Sequence, residues 1–168
     1  MDLVSYADLV VELVNTHDPA GDALHDLDSL RALLTPRPHL LGRLTYRDLE
    51  AMRQLRQELR GIVEAAVAGE DDRAAEGLNA MLIRHPVHPA LSDHDGHPWH
   101  LHLTEDGSVP DRYAAGAAMG LAVLIGERGI GALGLCISRE CRNIFFHTGS
   151  DRSQRYCSDR CGKRDGGQ

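Results

Sequence analysis

Apolar residues recur at three and four from Ser5 to Thr16, where Tyr6, Leu9, Val10, Leu13 and Val14 fall on one helical stripe. The stripe runs into Asn15-Thr16-His17-Asp18-Pro19-Ala20-Gly21, whose Pro and Gly predict a turn. A shorter helix is predicted over 28–34, with Leu30, Leu33 and Leu34 inward and Pro36 and Pro38 closing it. The strongest signal begins at Thr45. Thr45 and Asp48 have capping-box spacing, and Leu44 and Leu49 can form a hydrophobic staple across the helix start. Met52, Leu55, Leu59, Ile62, Val63 and Ala66 then keep the helical period as far as Gly69, which predicts the central helix of the chain. Its other face carries Arg47, Arg53, Arg56 and Arg60 between Glu50 and Glu58, and reads as a solvated charged face.

Asp71 or Asp72 can cap a further helix running to Arg84, with Ala75, Leu78, Met81 and Leu82 inward, Asn79 beside them and Pro86 as the stop. Trp99, Leu101 and Leu103 alternate with His100, His102 and Thr104, the period of a half-buried strand. The histidines between His85 and His102 match no compact ligand spacing. A last helix is predicted over 110–127, packed through Ala114, Ala117, Ala118, Leu121, Leu124 and Ile125, and Gly126, Gly129 and Gly131 end it. The fold class is therefore mainly α. A helical N-terminal domain with a small β element spans 1–130, and a small C-terminal module that holds all four cysteines, paired at the spacing of a zinc-binding site, spans 131–168. Scarce aromatics, 4% of residues, fit helices packed through small and aliphatic side chains. No apolar run approaches the ~18 to 20 residues that cross a bilayer, so no membrane partner is expected.

All four cysteines lie in the C-terminal module as C-I-S-R-E-C and C-S-D-R-C: Cys136 with Cys141, and Cys157 with Cys161. Each pair brings two thiolates to one point on a tight turn, and the second pair completes a tetrahedron around one ion. Four sulfur ligands leave no open position, so one Zn2+ per chain with a structural role is expected. Two disulfides would use the same residues in any of three connectivities. The start Met1-Asp2-Leu3 carries no basic and apolar leader pattern, which argues against an oxidising compartment and for the cytoplasm. His147, inside the loop, reads as an exposed residue. Ile144, Phe145, Phe146 and Tyr156 are the module's main apolar content, too little for an independent core without metal.

Charge separates the two parts. The net charge is −7, yet from Cys136 onward seven Lys/Arg face four acids, a balance of +3, which leaves −10 on the rest. Contact with a polyanion is thereby assigned to the module.

The run from Cys136 to Arg164, with Phe145-Phe146, Arg155-Tyr156 and Cys161-Gly162-Lys163-Arg164, resembles the CGNR zinc-finger family. Lys163 stands where the family's name has Asn. Asn15-Thr16, Leu55-Arg56, Leu59-Arg60 and Leu78-Asn79 resemble the helical ABATE domain that accompanies this finger. The resemblance implies a bacterial, stress-linked regulator of transcription that binds DNA through the finger.

The leading functional expectation is thus a zinc-finger regulator, with the helical domain as sensor or interaction platform. Arg142, Arg152, Arg155, Arg160, Lys163 and Arg164 are the candidate DNA contacts, reaching phosphates from a frame held by zinc. A balance of only +3 predicts weak binding by a monomer, so a homodimer or protein partner is expected for tight recognition. The alternative is a protein-interaction or small-ligand-sensing module in which zinc is purely structural. Asn15, Arg56 and Asn79 form its candidate ligand site, or else a buried polar cluster. Oxidation of the thiolates is a third route to regulation. Catalysis is not expected, because no Gly-rich phosphate loop, nucleophile motif or open metal site is present.

Overall fold

The computed structural model describes residues 3–93, 99–104, 106–147 and 153–166. Six α-helices occur among them: α1 Asp8–Val14, α2 Leu27–Leu34, α3 Tyr46–Val67, α4 Asp71–Arg84, α5 Val109–Arg128 and α6 Asp159–Gly166. Three antiparallel pairs of short strands accompany the helices: β1 His17–Asp18 with β2 Gly21–Asp22, β3 Ala90–Ser92 with β4 His100–His102, and β5 Leu133–Leu135 with β6 Ile144–Phe146. In the last pair Leu133 faces Phe146 and Leu135 faces Ile144.

Local chemistry sets the helix starts. At α3 the Thr45 hydroxyl accepts from the Asp48 N–H and the Asp48 carboxylate accepts from the Thr45 N–H, the expected reciprocal cap. Ser108 and Asp111 cap α5 in the same way, with Pro110 in its first turn, where a missing N–H costs nothing. Asp26 and Ser29 do so for α2, which begins one residue earlier than its hydrophobic pattern suggests. At α4 the expected Asp cap is absent: Glu70 holds the cap position, and its side chain bonds Arg73 rather than a backbone N–H of the first turn. Asp71 and Asp72 instead lie in the first turn, where their charges complement the helix dipole. On this helix Ala74 is buried and Ala75 exposed, and Asn79 is also exposed. Gly69, at φ 78°, ends α3 in a conformation that favours glycine.

The packing hub is α5, although the periodicity points to α3. It touches the 3-10 turn Leu3–Ala7, α1, α3 and α4. Its small residues explain this, since Ala114, Ala117, Ala118 and Gly120 let neighbours approach from several sides. A Cβ on Gly120 would lie 2.3 Å from the Ala7 backbone nitrogen. Tyr113, which the stripe does not single out, is buried and donates its hydroxyl to the Leu9 carbonyl at 2.8 Å, joining α5 to α1. Burial pushes its phenol up from the ordinary value.

At the β3–β4 hairpin, Leu103 is buried but Trp99 is 66% exposed, so the expected alternation fails at its first residue. Strand β3, which the sequence does not announce, pairs with β4 through Leu91 and Leu101. Leu133 and Ile144 join α1, α3 and α5 in the main core, with Leu135 and Phe146 packed against it. Apolar residues expected to serve the zinc module thus help to build the helical core. No helix is long and apolar enough to cross a membrane among the described residues.

Two glycines test this packing in opposite directions. Gly120→Ala should destabilise the fold by about 1–3 kcal/mol, the usual cost of overpacking. Gly61→Ala, in α3 where nothing lies within 4 Å of the place a methyl would take, should stabilise by about 0.5–1 kcal/mol. Thermal or urea unfolding of the two variants checks both signs.

Candidate metal centre and its attachment to the helical core

Strands β5 and β6 are the two arms of a hairpin whose loop is the first cysteine knuckle. The Cys136 N–H donates to the Asn143 carbonyl, closing the loop just beyond the strands. Inside it the N–H groups of Cys141 and Arg142 both donate to the Ser138 carbonyl, and Arg142 takes a positive φ of 53°. That tight turn points Cys136 and Cys141 to one side. The second pair arrives on α6: Cys157 precedes the helix, Cys161 lies in its first turn, and the Cys161 N–H donates to the Ser158 hydroxyl. The Ile137 N–H donates to the Arg155 carbonyl, which lays the incoming segment along the first knuckle.

The four Sγ atoms lie within 4.8 Å of one another. Cys141 and Cys157 are 3.5 Å apart, and Cys157 and Cys161 3.7 Å. A tetrahedron with zinc–sulfur bonds of ~2.3 Å needs sulfur separations of ~3.8 Å, so the cluster fits one zinc ion and leaves no fifth position. Burial pushes the Cys141 and Cys157 thiols up, while the Ser158 hydroxyl holds Cys161 down. Thiols raised in this way ionise when a cation is there to stabilise the thiolate, which is what the ion supplies. All four cysteines are free thiols, so no disulfide competes for them. They are the only such group of metal-binding side chains among the described residues, and the described histidines between His85 and His102 form none. His147 is not an exposed loop residue: it is 7% exposed and sits edge-on to the Phe145 ring at 5.1 Å.

A family model named ABATE, described as a "Putative stress-induced transcription regulator", matches residues 7–128, and the CGNR zinc-finger model matches residues 133–166. The chain belongs to the ABATE family. No curated protein matches it.

The ABATE part and the CGNR finger meet at a polar seam. Asn15, at the end of α1, donates its amide N–H to the Ile144 carbonyl and accepts the Ile144 N–H, both at 2.9 Å. Its side chain thereby pairs with the edge of β6 as a strand would. Three arginines of α3 set the chain that presents it. Arg53 donates twice to the Leu24 carbonyl, at 2.9 and 2.7 Å. Arg56, 5% exposed, forks onto both Asp22 oxygens at 2.6 and 2.7 Å and also reaches the Thr16 hydroxyl. Arg60 donates to the carbonyls of Val14, His17 and Arg142, touching α1, β1 and the knuckle together.

The supposed solvated face is therefore a set of clamps at three of its four arginines; Arg47 alone is exposed as expected. Asn15 and Arg56 do not form a cluster with Asn79. Asn79 points to solvent from α4, and Asn15 and Arg56 spend their bonds on Ile144 and Asp22. Arg56 falls both on the charged face and among the candidate buried polar residues in the sequence, and its partner Asp22 carries no sequence signal beyond being an acid in a turn.

The basic candidates divide. Arg142, Arg155, Arg160 and Lys163 are exposed, as is Arg139, which is not among the expected contacts. Arg164 is exposed as well, but its guanidinium is engaged within the finger: it reaches the Ser138 hydroxyl at 2.9 Å, Glu140 at 3.4 Å and the Cys161 sulfur at 3.9 Å. Arg152 lies outside the described residues.

The Arg56 hydrogen bond holds the Asp22 carboxyl at about 2, below its ordinary value of 3.8. A depressed carboxyl stabilises the fold above its unfolded pKa, and that contribution is lost as pH falls through the folded one. Asp22→Asn should cost about 1.5–3 kcal/mol near neutrality, the usual worth of hydrogen bonds to a charged group. The gap to the unsubstituted protein should close between about pH 4 and pH 2. Urea unfolding of both proteins across that range measures it, and a constant gap would contradict the assigned pairing.

Proposed function

We propose that the chain regulates transcription by contacting the DNA backbone with its CGNR finger, the helical part serving as sensor or interaction platform. The observation that carries this reading is the set Arg139, Arg142, Arg155, Arg160 and Lys163. All five are exposed, and none has an ion-pair partner among the described residues. Basic side chains on a surface otherwise rich in acids usually pair; five left open around a rigid metal knot suit a polyanion. The described residues of helix α6 present Arg160 and Lys163 as exposed cations, a chemistry suited to phosphate oxygens. The contacts are therefore assigned to phosphate, and affinity to the non-specific range of about 10⁻⁴ to 10⁻⁶ M for one copy. A second copy or a protein partner raises it. The reading contains no catalytic step.

A sensing role has its own support. A cleft of about 360 Å³ lies where the finger's hairpin meets the helical part, lined by Val4, Val11, Leu124, Phe145 and Phe146 together with Asp8 and Arg128. That volume is within the range of small-molecule sites, and its position would let an apolar ligand bias the seam. The expected site at Asn15, Arg56 and Asn79 offers no such space, since the first two are bonded and the third is at the surface.

Replacing Arg155 and Lys163 together by Ala in the full chain should weaken binding to unrelated duplexes by a similar factor. It should also flatten the salt dependence by roughly one unit of log–log slope for each phosphate no longer neutralised. Fluorescence anisotropy over a salt series reads both. Loss of preference at single base positions would assign base reading instead, and no binding at ~50 mM salt would leave the sensing role alone.

A further inference from the structure

We infer that Arg164 is a second-sphere clasp of the metal centre, joining the two cysteine pairs and donating to a metal-bound sulfur. The inference rests on the reading of the four cysteines as a zinc site. Arg164 lies on α6 beyond Cys161, yet its guanidinium crosses to the first knuckle. There it donates to the hydroxyl of Ser138, a residue with no exposed surface whose carbonyl already holds the turn through the Cys141 and Arg142 N–H groups. The same nitrogen lies 3.9 Å from Cys161 Sγ, within reach of an N–H···S hydrogen bond. Glu140, on the first knuckle, pairs with the other terminal nitrogen at 3.4 Å. One planar fork thus touches the turn of the first pair and a ligand of the second, an arrangement that a point-like ammonium does not reproduce.

Two consequences follow from the chemistry. Four thiolates around a divalent ion carry a net charge of −2, and a fixed guanidinium beside one sulfur offsets part of it. The clasp also ties α6 to the first knuckle through bonds that do not involve metal, so the cysteine pairs are held near each other before the ion binds. Arg160 and Lys163, exposed on the same helix, take their aim from this tether.

The test uses the full chain, reduced, loaded with Co2+ as a spectroscopic stand-in and with Zn2+ in chelator competition. Arg164→Ala should weaken Zn2+ binding by about 10- to 100-fold, the usual effect of losing an outer-shell partner. It should also move the sulfur-to-cobalt charge-transfer band to lower energy, because a sulfur that loses a hydrogen bond gives up its electrons more readily. Ser138→Ala, which keeps the charge and removes the anchor, should weaken binding in the same direction. Arg164→Lys should restore only part of the affinity. Glu140→Gln, at the exposed end of the fork, should stay within about twofold, as exposed ion pairs contribute little.

Wild-type affinity in Arg164→Ala would overturn the proposal, as would weaker binding with an unmoved band, which marks a packing role only. If Arg164→Ala fails to fold by circular dichroism, Ser138→Ala decides, and unchanged affinity there would overturn it equally. Absence of a tetrahedral cobalt spectrum in the unsubstituted chain would overturn the metal centre itself and the clasp with it.

Discussion

The pairing of Asn15 with the backbone of Ile144 is the interaction on which the arrangement of the two parts depends. Ile144 has two jobs at one position. Its side chain, 1% exposed, belongs to the helical core, while its N–H and carbonyl are both taken by the Asn15 amide. A buried strand edge without such a partner would leave two backbone groups unsatisfied, at about 1–3 kcal/mol each. Asn is suited to the task because its amide offers a donor and an acceptor in the geometry of a peptide group. The pairing also fixes register. Ile144 follows the ligand Cys141 by three residues, so holding β6 against α1 sets where the first knuckle stands.

Arginines of α3 carry the same constraint outward. Arg56 and Arg53 stabilise the turn after α1 through Asp22 and Leu24, and Arg60 links that turn to the Arg142 carbonyl in the knuckle. A finger of this size buries too little to fold alone, and metal binding usually supplies the missing free energy. Here the hairpin gains a second source, since Leu133 and Ile144 are buried in the helical core. Zinc orders the knuckles, the helical part orders the hairpin, and residues 142–144 lie where the two meet.

Features encoded over short distances are legible in the sequence itself. The Thr45–Asp48 cap, the long stripe of α3 and the four cysteines depend on spacings of a few residues, and each forms as read; the helix expected over 110–127 forms as Val109–Arg128 but is not the last, since the short, polar α6 follows it. The family resemblance singles out Asn15 and Arg56, both of which are structurally committed. Their partners are hidden because they come from elsewhere in the chain: Ile144 is 129 residues from Asn15, and Asp22 is 34 from Arg56. Periodicity also ranks α3 above α5, because a helix of Ala and Gly buried on several sides shows no amphipathic contrast. His147 is misplaced by the sequence pattern, because a polar residue in a short, charged finger reads as exposed unless the fold shows the aromatic ring that takes it up. Arg164 is exposed as its composition suggests, but its bond to the Ser138 hydroxyl, 26 residues away, leaves no trace in local spacing.

The metal centre and the ABATE part share one seam, and hydrogen exchange with and without zinc reads whether they are coupled through it. Deuterium uptake is followed by mass spectrometry on the reduced full chain before and after chelation. The expected result is faster exchange in the finger, together with loss of protection in the segment from Val14 to Leu24 and at Leu133–Leu135, while the middle of α5 stays protected. Faster exchange confined to 136–166, with Val14 to Leu24 unchanged, would contradict that coupling and make the finger an independent appendage.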